Sequence, residues 1–129
     1  MKNLYPALQF DPPQTVKAEF HADARKLLRD VGRYLTRGTI SRIRSNPAGP
    51  AVAGEVYADM SAGASFSLLI EVGSTVCPDG VQGRLNDGVY IQVQKRRSGR
   101  ILGANIYLDP ASSPQRLAGQ LANLFKEEA

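Results

Sequence analysis

Val89-Tyr90-Ile91-Gln92-Val93-Gln94, Lys95-Arg96-Arg97-Ser98-Gly99-Arg100 and Ile101-Leu102-Gly103-Ala104-Asn105-Ile106-Tyr107-Leu108 follow one another without a break. The outer two segments alternate apolar with polar or small residues, the period of a half-buried strand, and the basic segment between them reads as a loop that folds one strand back on the other. If the loop closes with Gln94 opposite Ile101, then Val93 faces Leu102, Ile91 faces Ala104 and Val89 faces Ile106, which makes one side of the hairpin wholly apolar. The same register sets Tyr90 beside Asn105 and Gln92 beside Gly103 on the outer side, with Tyr107 further along. So short a connection excludes a parallel crossover, which needs about a dozen residues, and the expected sheet is an antiparallel meander.

Working upstream, Val52, Val56, Ala58 and Met60 alternate with polar residues that include Glu55 and Asp59, and Phe66, Leu68, Ile70 and Val72 repeat the pattern. These are two strands, Ala51 to Met60 and Ser65 to Val72, joined around Ser61-Ala62-Gly63-Ala64. Thr39 to Ser45 has β-branched residues without clean alternation and ends at the turn cluster Asn46-Pro47-Ala48-Gly49-Pro50, as a short or edge strand would. Gly73 to Asp87 is rich in turn residues, and only Val81 to Leu85 is suited to add a strand there.

Helices flank the strands. Val16, Phe20, Ala24, Leu27, Leu28, Val31, Tyr34 and Leu35 recur at three- and four-residue steps and predict a helix from about Gln14 to Arg37 with these residues in the core. Asp11-Pro12-Pro13-Gln14 reads as its capping box and Gly38 as its stop. Ser113 followed by Pro114 is an N-cap signal, and Leu117, Leu121, Leu124 and Phe125 stripe a second helix that ends near Lys126. The expected class is α+β, a single antiparallel sheet of four to five strands with both helices on one face and the other face partly wet. At 129 residues it forms one domain: an N-terminal arm (1–13), a helix (14–37), strands (39–108) and a helix (113–126).

The residue inventory excludes much chemistry. One cysteine, Cys77, and one histidine, His21, supply neither a disulfide nor a Cys/His zinc site within the chain. No apolar run is long enough for a membrane span and Met1 to Pro6 lacks a secretory signature, so the chain is expected to be soluble and cytoplasmic. His21 falls at the margin of the helix's core face and Cys77 precedes Pro78 without an adjacent base, which suits packing rather than nucleophilic catalysis. Glu55, Asp59 and Glu71 share strand faces where they would suit Mg²⁺, but Glu71-Val72-Gly73 lacks the lysine of the Glu-x-Lys nuclease pattern, and solvated strand carboxylates explain them. No phosphate-loop or dinucleotide-binding glycine pattern occurs. The expectation is a protein without enzymatic activity or cofactor.

Charge is the informative feature. The net charge is +4, and residues 1–50 carry nine Lys/Arg against four Asp/Glu while residues 51–94 carry one against five, so the basic groups gather toward the ends. Arg25, Arg29, Arg33 and Arg37 stand at successive i+4 steps, and the first three lie about 160° to 240° around the helix from Leu27. They form a ridge that would gain from a phosphate backbone or an acidic protein laid along it; the competing account is a solvated face offset by Glu19, Asp23 and Asp30. Lys95, Arg96, Arg97 and Arg100 make a basic hairpin tip, which beside outward Tyr90 and Tyr107 would follow a backbone while the rings stack on unpaired bases. Edge hairpins also carry such cations simply to resist aggregation.

From Ala51 to Phe125 the order of four strands, a turn and a helix resembles single-strand-binding modules such as the Pur repeats and the positive-cofactor transcriptional coactivators, by element order and without a diagnostic motif. The double-stranded-RNA-binding domain also joins a helix, a meander and a helix. It carries a lysine cluster where this chain has Ser112-Ser113-Pro114-Gln115-Arg116. Two functional readings follow. The first is a small nucleic-acid-binding domain that uses the ridge and the tip. The second is an adaptor or inhibitor, of the kind phages and mobile elements encode, that docks on an acidic or nucleic-acid-binding protein. Self-association into a homo-oligomer through an exposed sheet edge is compatible with either.

Overall fold

The computed structural model describes residues 13–36, 39–48, 53–62, 66–74, 89–109 and 112–127. In chain order its elements are α1 (Gln14–Gly32), β1 (Ile40–Asn46), β2 (Glu55–Ala62), β3 (Phe66–Ser74), β4 (Val89–Arg97), β5 (Arg100–Ile101), β6 (Ile106–Leu108) and α2 (Pro114–Glu127). Every strand pairing is antiparallel, in the order β1-β2-β3-β4-β5, with β6 also paired to β4. The fold is α+β, a meander with a helix before it and another after it. The N-terminal arm before Pro13 and the candidate strand Val81 to Leu85 lie outside the described residues, as does Cys77.

Alternation decides which face is dry. Val56, Ala58 and Met60 of β2, Leu68, Ile70 and Val72 of β3, and Val89, Ile91 and Val93 of β4 all point to one side. There they meet Phe20, Ala24, Leu28 and Val31 of α1 and Leu117, Ala118 and Leu121 of α2 in one continuous core. Each fully buried side chain of this size contributes about 1.5–3 kcal/mol, more than a cap or a surface ion pair, so this pattern fixes the layers.

The hairpin register differs from the expected one. Ser98 (φ 52°) and Gly99 (φ 79°) form a two-residue turn with both central residues left-handed, so Arg97 pairs with Arg100 and Arg96 with Ile101. After an irregular stretch β6 resumes with Val93 opposite Ile106, Gln92 opposite Tyr107 and Ile91 opposite Leu108. There is no six-residue basic loop, because Lys95 and Arg96 belong to the ladder, opposite Leu68 and Ser67 of β3.

The start of α1 at Gln14 falls where it is expected, and its end moves. Pro13 holds the N-cap position of α1 with no side-chain capping bond, and its carbonyl accepts from the Val16 and Lys17 amides; Asp11 and Pro12 of the expected capping box lie outside the described residues. The helix stops at Gly32 rather than Arg37: the Tyr34 and Leu35 amides bond three residues back, to Val31 and Gly32, in tightening turns. Tyr34, an expected core residue, is therefore left 58% exposed. Ser113 caps α2 as its sequence suggests, its Oγ accepting from the Arg116 amide at 3.2 Å.

Three contacts orient α1 along the edge strand. The His21 ring Nε2 lies 2.6 Å from the Ala53 carbonyl oxygen just before β2, Arg25 Nη1 donates to Ser45 Oγ near the end of β1, and Gly32 sits over the Ile40 side chain at its start. α1 thus runs antiparallel to β1, and its C-terminal end lies over the Ile40 end of the sheet.

Candidate nucleic-acid interface

The ridge arginines do not share one environment. The buried residues of α1 are Phe20, Ala24, Leu28 and Val31, so Leu27, which is only half buried, marks the border of the core face rather than its centre. Successive i+4 steps also advance about 40° around the axis, which makes the row oblique. Arg25 falls on the flank beside the sheet, half buried and bonded to Ser45, whereas Arg29 and Arg33 turn progressively outward and are exposed. Arg37 lies outside the described residues, beyond the observed end of the helix.

The Asp30 carboxylate sits among these cations. Asp30 takes a 2.7 Å ion pair from Lys26 and a longer 3.6 Å contact from Arg33. The Lys26 hydrogen bond holds its carboxyl below the usual aspartate value, against the opposing effect of desolvation, and the positive charges of Lys26, Arg33 and Arg29 act in the same direction as the hydrogen bond. Asp30 offsets only part of the charge of Lys26, Arg29 and Arg33, and the Arg33 side chain remains 79% exposed.

The register then brings the hairpin tip to the same end of the molecule. Ile40 pairs with Met60, Met60 with Leu68 and Leu68 with Lys95, so the start of β1 under Gly32 and the end of β4 lie in one row across the sheet. Three strand spacings, about 14 Å, separate them. Arg97 and Arg100, both exposed, flank the turn just beyond this row. Lys95 is half buried on the helix side, and Arg96 is half buried on the open side, donating from Nη2 to Gln94 Oε1 at 2.7 Å.

The tyrosines behave differently from expectation. Tyr90 is 8% exposed, so it is no outward stacking platform. It pairs across β3–β4 with Gly73, and a Cβ at that position would collide with the Tyr90 hydroxyl and ring. The ring lies down over the bare backbone and meets Tyr107 edge to face, with centroids 6.4 Å apart. Tyr107 is half buried. Both Tyr57 and Tyr90 hydrogen bond to Glu71, and burial, reinforced by the charges of Glu71 and Glu55, raises the Tyr90 hydroxyl pKa well above its ordinary value. Unfolded tyrosine ionises near 10.0, so this hydroxyl stabilises the fold fully below that pH. Above it the unfolded chain releases a proton that the folded chain keeps. Stability is expected to fall as pH rises past about 10, and Tyr90→Phe should flatten that decline in urea unfolding followed from about pH 8 to 11. Identical slopes in both proteins would refute the assignment.

Two further acids lie on this helix-free face. Asp59 accepts from Arg44 Nε at 3.4 Å, and the Arg44 guanidinium lies 4.5 Å from the centre of the Tyr57 ring. Glu55 is 1% exposed. Among the described residues no group of three His, Cys, Asp or Glu is placed to hold a metal ion, and no described helix is long and apolar enough to cross a membrane. No protein family, curated protein or solved structure matches the chain. Tyr34 is the residue that periodicity misplaced: its spacing marks it as core, and only the early end of α1 exposes it.

Proposed function

We propose that this protein is a non-enzymatic nucleic-acid-binding domain whose contact surface is the basic end formed by Arg29 and Arg33 of α1 and by Arg97 and Arg100 at the β4–β5 turn. What supports this most is the register that aligns Ile40 with Lys95, because it places exposed guanidinium groups from two distant segments at one end of the sheet. Arginine suits the role, since its planar fork bonds phosphate oxygens in pairs and its charge persists at any physiological pH. Arg25, tied to Ser45, positions the helix on the sheet edge and takes a lesser part.

Four phosphate contacts imply a steep salt dependence, with log affinity falling by about 3 for each tenfold rise in salt. Titration of a labelled oligonucleotide at increasing salt measures this slope. A flat response, or recovery of a stoichiometric protein partner that survives nuclease treatment, would replace this reading with the adaptor one.

A further inference from the structure

Tyr34 places an aromatic ring in water at the end of the molecule that carries the exposed arginines. Tyr34 is 58% exposed, follows Arg33 directly and lies one turn beyond Asp30, at the end of the molecule that carries Arg29 and Arg33. Its amide bonds to the Val31 carbonyl at 3.1 Å, so the backbone beneath the ring is fixed while the ring itself is uncovered. Residues one helical turn apart stand about 6 Å apart, which lets Arg29 and Arg33 hold neighbouring phosphates of one strand.

We propose that Tyr34 is a stacking platform that makes this basic end selective for single-stranded nucleic acid, with a base against the ring and the flanking phosphates on Arg29 and Arg33. This rests on the reading of that end as a nucleic-acid interface. A duplex keeps its base faces stacked on one another and has none to offer the ring, whereas an unpaired strand exposes a π-face at every base. The ring therefore adds affinity for a single strand alone, while the arginines attract both forms.

The test is binding of a labelled single-stranded oligothymidylate of about a dozen nucleotides, and of a duplex of equal length, to the wild type, Tyr34→Ala, Tyr34→Phe, Tyr34→Leu and the pair Arg29→Glu with Arg33→Glu. Tyr34→Ala should weaken single-strand binding on the order of tenfold, change duplex binding less than about twofold and leave the salt slope unaltered. Tyr34→Phe should bind as the wild type does. Tyr34→Leu, which keeps the apolar bulk and loses the π-face, should follow the alanine variant and serves in its place if alanine impairs folding. No loss, or equal loss on both nucleic acids, overturns the role of Tyr34, and the basic-end reading still stands if the charge-reversed pair fails to bind. A wild type that binds neither form at low salt overturns both.

Discussion

Reversing Arg29 and Arg33 together to glutamate is expected to weaken nucleic-acid binding at least a hundredfold at about 0.1 M salt while the domain stays folded. In counterion-release terms each phosphate contact strengthens binding roughly five- to eightfold at that salt, so deleting two contacts alone costs about thirtyfold and two new negative charges add repulsion. The salt slope should fall by about half as well, because two of four contacts are gone. Both side chains are exposed, and among the described residues their direct ion contact with the fold is the 3.6 Å approach of Arg33 to Asp30. Glutamates near the C-terminal end of a helix also oppose its dipole, by about 0.3–1 kcal/mol each, so Arg29→Gln with Arg33→Gln is the matched control. That pair should lose about thirtyfold in affinity and give up at most about 1–2 kcal/mol of stability, the favourable dipole contribution of the two arginines. Full binding by a folded charge-reversed protein would place the interface elsewhere, and unfolding of the glutamine pair would make the two arginines structural.

Much of the fold was legible because burial of alternating side chains dominates the energetics. Val56, Ala58 and Met60, with Leu68, Ile70 and Val72, could lie on one face in only one way, since a one-residue slip would drive all of them into water. The same rule was silent about the hairpin. Leu102, Ala104, Ile106 and Leu108 are all apolar at even positions, so sliding β4 against them by two residues leaves an apolar partner for Val93 each time. Turn chemistry chose among these registers: Ser98-Gly99 accepts two left-handed residues in a row, and a tight turn there carries Lys95 and Arg96 into the ladder. The error at Tyr90 has another cause, since alternation correctly put it on the helix-free face but carried no information that Gly73 opposite would leave room for the ring to lie flat. Tyr34 shows the limit of periodicity at a helix end. The apolar spacing continues past Gly32, but the backbone has by then turned to three-residue bonds. The basic end was only half readable: each cluster stands out in the sequence, and their alignment exists only once Ile40, Met60, Leu68 and Lys95 are paired across four strands.

The largest loss of stability from the smallest change is expected at Gly54. Its φ of 80° is left-handed, where an L-residue is strained by about 1–2 kcal/mol. Gly99, at φ 79°, carries the same strain but has open space around it, so Gly99→Ala should cost only about that amount. A Cβ on Gly54 would in addition press on the Asn46 carbonyl oxygen and stand 2.8 Å and 2.9 Å from Pro47 Cα and C. These are backbone atoms at the last rung of the β1–β2 ladder, where Asn46 pairs with Glu55, and they cannot swing aside as a side chain would. Overpacking of this kind adds roughly 1–3 kcal/mol, so Gly54→Ala should cost about 3 kcal/mol or more. The neighbours give no slack: Ala53 is fully buried with its carbonyl held by His21, and Glu55 is 1% exposed. Any shift that relieves the clash pulls on the His21 contact, which fastens α1 to the sheet, so the helix that bears Arg29 and Arg33 loosens with it. Urea unfolding of the two alanine variants side by side measures the difference. Equal losses would mean that backbone conformation alone matters at Gly54, and that the close approach of Asn46 and Pro47 relaxes at no cost.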